Sequence, residues 1–150
     1  MYDIITTTPD DKVVMAAINV IVGGGSGVIP APAGNYVLTV PGSEPHKAGD
    51  GGATQSILVI VGHGSATALS KSKDWSTYKS EFSGASISWS KKTSVYIVAC
   101  KTASPTKEES YFFYQNFAKT VKKDFPEATV WASESNVGSK SLSGDWTKVE

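Results

Sequence analysis

Ile57-Leu58-Val59-Ile60-Val61-Gly62-His63-Gly64-Ser65 opens with five consecutive apolar residues, four of them β-branched. An alternating pattern would describe a strand wet on one face. A continuous run describes one covered on both faces, as in a parallel sheet lying between helices. Val95-Tyr96-Ile97-Val98-Ala99 repeats the pattern and runs into Cys100, and Thr129-Val130-Trp131-Ala132 repeats it more weakly. A further short strand is expected over Asn35–Val40, closed by Pro41-Gly42. The segment from Pro41 to Thr54, rich in Gly, Pro and polar residues, reads as a loop, with His46 and Lys47 on its surface.

Helices are expected between these strands. Thr8 reads as a cap, with Pro9 in the first position and Asp10 and Asp11 at the positive end of the dipole. Val14, Ala17, Ile18 and Ile21 follow at helical spacing, and the run Gly23–Gly27 stops the helix. That glycine run matches neither phosphate-loop motif and follows a helix where both motifs need a strand. A short helix is expected around Trp75–Phe82. A longer one has Thr106 and Glu109 as a capping box and Tyr114, Phe117, Ala118, Val121 and Phe125 on one face, ending at Pro126. Strands alternating with helices give an α/β fold with a mostly parallel sheet and right-handed crossovers. One domain is expected: residues 1–54 supply a helix, a strand and a loop, and residues 55–150 form the core.

Composition narrows the function. The chain has 150 residues, and its fourteen basic residues balance fourteen acidic ones. Every basic residue is lysine, so the bidentate guanidinium fork used on phosphate, carboxylate and guanine is missing. The balance offers no footprint for nucleic acid or an anionic membrane. A single cysteine rules out an internal disulfide and a Cys-rich zinc site, and His46 has no partner at metal spacing. No apolar stretch has the length of a membrane span, and the start carries no secretory pattern. The cytoplasm is therefore the default expectation, with signal-independent export left open.

In open parallel sheets, sites lie beyond the carboxyl ends of the strands. Two apolar runs end there in His63 and Cys100. If their strands are neighbours, an imidazole and a thiol share one rim. A thiolate is a strong nucleophile, and an imidazole can deprotonate the thiol or pair with the ion. The Gly64 and Cys100 amides are placed to form an oxyanion hole. The sequence demands no third member. Taken singly, a cysteine after an apolar strand is ordinarily inert packing, and a histidine in a glycine turn is ordinarily solvated. It is the pair at matched strand ends that points to chemistry.

A hydrophobic block followed by His-Gly, then a second followed by a small residue and Cys, resembles the caspase-like (clan CD) cysteine peptidases. The resemblance covers roughly the last 100 residues and is closest to the small bacterial and toxin self-processing members. It implies a reduced caspase-like three-layer sandwich, with His63 as general acid or base, Cys100 as nucleophile and Gly64 in the oxyanion hole. It further implies a peptide or protein substrate, limited proteolysis or self-processing, and no metal or organic cofactor. Val98 stands where caspases have Gln, and Thr102 where they have Gly. With no arginine to hold an aspartate side chain, caspase-type aspartate specificity is not expected.

Substrate selection is expected from loops on the same rim, through Ser65, Glu134, Asp145 and Trp146. An acid in the pocket would favour Lys or Arg, and a tryptophan a Leu-like residue. Two other readings stay open: a catalytically silent module of the same architecture that binds peptide or a partner protein, and a small nucleotide-binding or signalling domain.

Overall fold

The computed structural model describes residues 2–32, 34–49, 56–64, 69, 73–100, 116–135, 137–138 and 141–150. Its strands are β1 (Tyr2–Ile5), β2 (Tyr36–Thr39), β3 (His46–Ala48), β4 (Ile57–Val61), β5 (Ser94–Val98), β6 (Thr129–Ser133) and β7 (Trp146–Val149). The helices are α1 (Lys12–Val22), α2 (Trp75–Ser80) and α3 (Phe117–Asp124), with a 3-10 turn at Trp89–Lys91. All seven strands join one sheet in the order β3-β2-β1-β4-β5-β6-β7. Strands β1, β2, β4, β5 and β6 are parallel to one another, and β3 and β7 close the two edges antiparallel.

The continuous apolar runs are divided between two cores, as a strand with period two requires. Leu58 and Ile60 of β4, Val95 and Ile97 of β5 and Val130 of β6 face α2 and α3, packing with Trp75, Tyr78, Phe82, Phe117, Val121 and Phe125. Val59 and Val61, Tyr96 and Val98, together with Tyr2 and Ile4 of β1, face α1 and pack with Val14, Ala17, Ile18 and Ile21. The result is an α/β sandwich with helices on both faces of a mostly parallel sheet. Among the described residues no helix is long and apolar enough to cross a membrane.

The direction of the crossovers explains this division. From β1 the chain crosses through α1 to β2 on one side, and from β4 it crosses through α2 to β5 on the other. A right-handed crossover taken in opposite directions puts its helix on opposite faces. Because β1 and β4 are themselves neighbours and their connections pass on opposite faces, their carboxyl ends form the topological switch point of the sheet.

Three strands were not expected from the sequence. Asp3 interrupts the apolar run of β1, and it is buried in an ion pair with Lys92, which approaches from a segment 89 positions away. Strand β3 lies in the stretch read as a loop; it is three exposed or half-buried residues held by β2. Strand β7 likewise gains its order from pairing with β6. The start of α1 is also corrected. The cap is Asp11 rather than Thr8: its Oδ1 accepts from the amides of Val13 and Val14 at 2.9 and 3.1 Å. Thr8 instead belongs to the preceding turn, its carbonyl accepting from the Asp11 amide at 3.2 Å. The four residues expected on the buried face of α1 are the four that are buried. Helix α3 is capped by Asn116, whose Oδ1 accepts from the Lys119 amide at 2.9 Å. Thr106, Glu109 and Tyr114 lie outside the described residues.

The Asp3–Lys92 ion pair is almost completely buried, with the lysine side chain 0% and the aspartate 5% exposed. Burial pushes the Asp3 carboxyl above its ordinary value against the pull of Lys92, and draws Lys92 below its own against the pull of Asp3. Lys92→Met alone is therefore expected to lower the unfolding free energy by about 3–5 kcal/mol, because a carboxylate is left buried and uncompensated. The Asp3→Leu/Lys92→Met double variant should recover most of that loss in urea denaturation. A double variant as unstable as the single would show that charge compensation is not what the pair supplies.

Candidate active site

Three neighbouring parallel strands each carry one polar group to the same rim. Beyond β1 the chain turns through Thr6–Asp10 and presents Asp11 at the start of α1. Beyond β4 come Gly62, His63 and Gly64, and beyond β5 come Ala99 and Cys100. The β4–β5 ladder pairs Val61 with Val98 and continues one step further, the Gly62 amide donating to the Val98 carbonyl at 3.2 Å. The expectation that the His63 and Cys100 strands are parallel neighbours is met.

Asp11 and His63 meet at the switch point between β1 and β4. His63 Nε2 lies 2.8 Å from Asp11 Oδ2. One carboxylate thus does two jobs, Oδ1 capping α1 while Oδ2 fixes the imidazole. The Val14 amide is the main reason the Asp11 carboxyl lies below its ordinary value, and His63 lowers it further. A depressed carboxyl contributes above its unfolded value near 3.9 and loses that contribution as pH falls through its folded one. Asp11 therefore stays ionised above that value. With Nε2 engaged, Nδ1 is the ring nitrogen left for proton transfer. The sequence marks Asp11 only as an acid at a helix start. Its second role was hidden because β1, which delivers it, was not recognised as a strand.

Gly64 stacks directly on the other strand end. A Cβ built there would lie 2.7 Å from the Cys100 carbonyl oxygen, 3.1 Å from its nitrogen and 2.7 Å from the Ala99 Cβ. Only glycine lets the two turns come this close. The backbones expected to form the oxyanion hole are therefore in contact. Cys100 is half-buried, and its sulfur accepts from the Val137 amide at 3.4 Å.

His63 and Cys100 both line one pocket of about 40 Å³. Its remaining walls come from the first turns of α1, from Val61 and Val98 at the strand ends, and from Val137 and Leu142 in the β6–β7 connection. Leu142 is fully buried at φ 57°, held by hydrogen bonds from its amide to the Gly138 carbonyl (2.7 Å) and from the Trp146 indole to its own carbonyl (2.8 Å). Larger grooves of about 720 and 840 Å³ exist, but the first is lined by α2, α3 and Trp89 and the second by β2, Pro45, Lys47 and Phe82–Ser88. Neither contains His63 or Cys100.

The expected substrate-binding residues are dispersed. Ser65 lies outside the described residues. Glu134 and Asp145 are exposed and face each other through backbone, the Glu134 amide donating to the Asp145 carbonyl at 3.0 Å; neither lines the pocket. Trp146 supports Leu142 from behind rather than lining the cavity. His46 is exposed on edge strand β3 beside Tyr36. Among the described residues no three His, Cys, Asp or Glu side chains converge as a metal site. Comparison with protein-family models and with curated proteins finds no match.

Gly64→Ala tests the close approach. The added methyl has no flexible neighbour to displace, so about 1–3 kcal/mol of stability is expected to be lost. The same change should alter the reactivity of Cys100, measured by alkylation of the folded protein. An alanine variant of unchanged stability and thiol reactivity would mean the two turns are further apart than described.

Proposed function

We propose that this chain is a cysteine endopeptidase of the caspase-like type, acting in limited proteolysis or self-processing. The observation that carries the proposal is the order of groups along one rim, carboxylate, imidazole and thiol, at the carboxyl ends of three adjacent parallel strands. The resemblance in the His63-Gly64 and Cys100 motifs supports the same reading. Asp11 is the one member of that rim which the resemblance does not involve.

The arrangement supplies each step of acyl transfer. Cys100 Sγ, having given its proton to His63, attacks the carbonyl carbon of the scissile peptide, forming the S–C bond. The negative oxygen is received by the Gly64 and Cys100 amides. His63 then passes the proton to the departing amine as the C–N bond breaks, leaving a thioester on Cys100. A water molecule, deprotonated by His63, attacks that thioester and releases the acid and the free thiol. Asp11 is a positioning residue: it holds the ring from Nε2 and favours the protonated form that appears midway. The substrate is a peptide or protein segment, and none of these steps calls on a cofactor.

Alkylation kinetics test the nucleophile. At pH 6 free cysteine is only about 0.3% thiolate, given its ordinary pKa near 8.5. Cys100 is expected to react with iodoacetamide at least tenfold faster than free cysteine, with His63→Ala abolishing the excess. A thiol no faster than free cysteine would favour the silent peptide-binding module instead.

Peptide cleavage should then vanish in Cys100→Ala. Asp11→Asn separates the two roles of that carboxylate, because asparagine caps a helix as well as aspartate does. The expected result is a folded protein with a slightly lower melting temperature and with cleavage reduced, by at most the 10²–10⁴-fold that general acid–base catalysis typically supplies. An Asn variant with full activity would remove Asp11 from the mechanism.

A further inference from the structure

We infer that the backbone amide of Val137 is a further catalytic group, which donates to the Cys100 sulfur and stabilises the thiolate that attacks the substrate. This rests on the peptidase reading and adds to it the group that holds the nucleophile's charge.

The contact is direct. The Val137 N–H reaches Cys100 Sγ at 3.4 Å. An amide N–H can only donate, so the sulfur is the acceptor. A neutral thiol accepts weakly, whereas a thiolate makes the stronger, charge-assisted bond, and donation therefore favours the ionised sulfur. It also leaves the S–H proton free to pass to His63. Among the described residues, Asp11 is the hydrogen-bond partner of His63 and Val137 that of Cys100. The imidazole thus has a carboxylate beside it and the sulfur has an N–H. These partners suit the positive and negative charges that the pair carries once the proton has moved.

The β6–β7 connection is braced on both sides of this amide. On the side toward β6, Ser135 Oγ accepts from the Asp145 amide at 2.9 Å, and the Glu134 amide donates to the Asp145 carbonyl at 3.0 Å. On the other side, the Gly138 amide donates to the Ser143 carbonyl at 2.9 Å, and the Leu142 amide to the Gly138 carbonyl at 2.7 Å. Leu142 is itself buried in one core with Val14, Val61 and Val98, which ties the connection to the strand ends that carry His63 and Cys100. A donor held in this way needs no reordering when charge appears on the sulfur, as preorganised electrostatic stabilisation requires. No side-chain pattern announces such a group, because every residue but proline carries the same N–H.

Replacing the peptide bond before Val137 by an ester tests the assignment, with the hydroxy-acid analogue of valine incorporated at position 137. The change removes the N–H and keeps the side chain. The readout is the pH dependence of Cys100 alkylation by iodoacetamide on the folded full chain. A hydrogen bond of ordinary net worth corresponds to a midpoint about one pH unit higher in the ester than in wild type. Nucleophilicity rises with basicity at a Brønsted slope of about 0.4–0.5. The ester is therefore expected to react about threefold slower below both midpoints and about threefold faster on the alkaline plateau. A merely loosened connection would move the rate in one direction at every pH, so the crossing of the two profiles separates the charge role from a structural one. Trp146→Phe serves where the ester does not fold: it removes the indole donor to the Leu142 carbonyl, 2.8 Å away, and keeps a ring. Its midpoint is expected to rise as well, and an unmoved one counts against the amide. Profiles that superimpose or never cross, with wild type still faster than free cysteine and dependent on His63, overturn the role of Val137 and leave the peptidase reading standing. A wild-type thiol no faster than free cysteine overturns both.

Discussion

Right-handed crossovers from two adjacent strands in opposite directions make the carboxyl ends of β1 and β4 the switch point of the sheet; Asp11 and His63 meet there, with Cys100 at the neighbouring end of β5. Strand β1 feeds α1 on one face and β4 feeds α2 on the other. The two connections pass on opposite faces, and the sheet between them is sealed by two apolar layers. Everything polar that the sheet displays at this rim is therefore held on a rigid base. His63 and Cys100 follow strands whose other residues are almost all buried. Their backbones are positioned by the β4–β5 ladder rather than by loop conformation.

Asp11 shows how economically this rim is built. A helix start must satisfy its free amides, and a capping carboxylate is the common way to do so. Placing that cap at the switch point puts its second oxygen within reach of the neighbouring turn. The carboxylate is preorganised by the helix before it meets the imidazole, so little further ordering is needed to hold the ring. The two amides on Oδ1 also keep Asp11 ionised, which sustains the interaction with His63.

How legible each part was depends on how local its cause is. Strands β4 and β5 were readable because burial on both faces leaves an unbroken apolar run, and the buried face of α1 was readable from its spacing. Strand β1 was not, since Asp3 inside the sheet is paired with Lys92, a partner 89 positions away. Edge strands β3 and β7 have little apolar character of their own and owe their order to a partner. The cap of α1 was misplaced because Thr8 and Asp11 are both good caps by composition. Which one serves depends on the turn after β1, in which Thr8 accepts from the Asp11 amide.

Sequence alone established that two strands buried on both faces end in an imidazole and a thiol, and that no guanidinium is present to hold an acidic substrate group. Both are properties of short segments and of composition. Only the tertiary structure decided that those strands adjoin in parallel and that β1 lies beside them to deliver Asp11. The same is true of the cavity, whose size and apolar walls come from α1 and the β6–β7 connection closing over the rim. Such facts depend on distances between segments 37 to 125 positions apart (Cys100 to Val137, Ala17 to Leu142), and packing rather than local preference sets those distances.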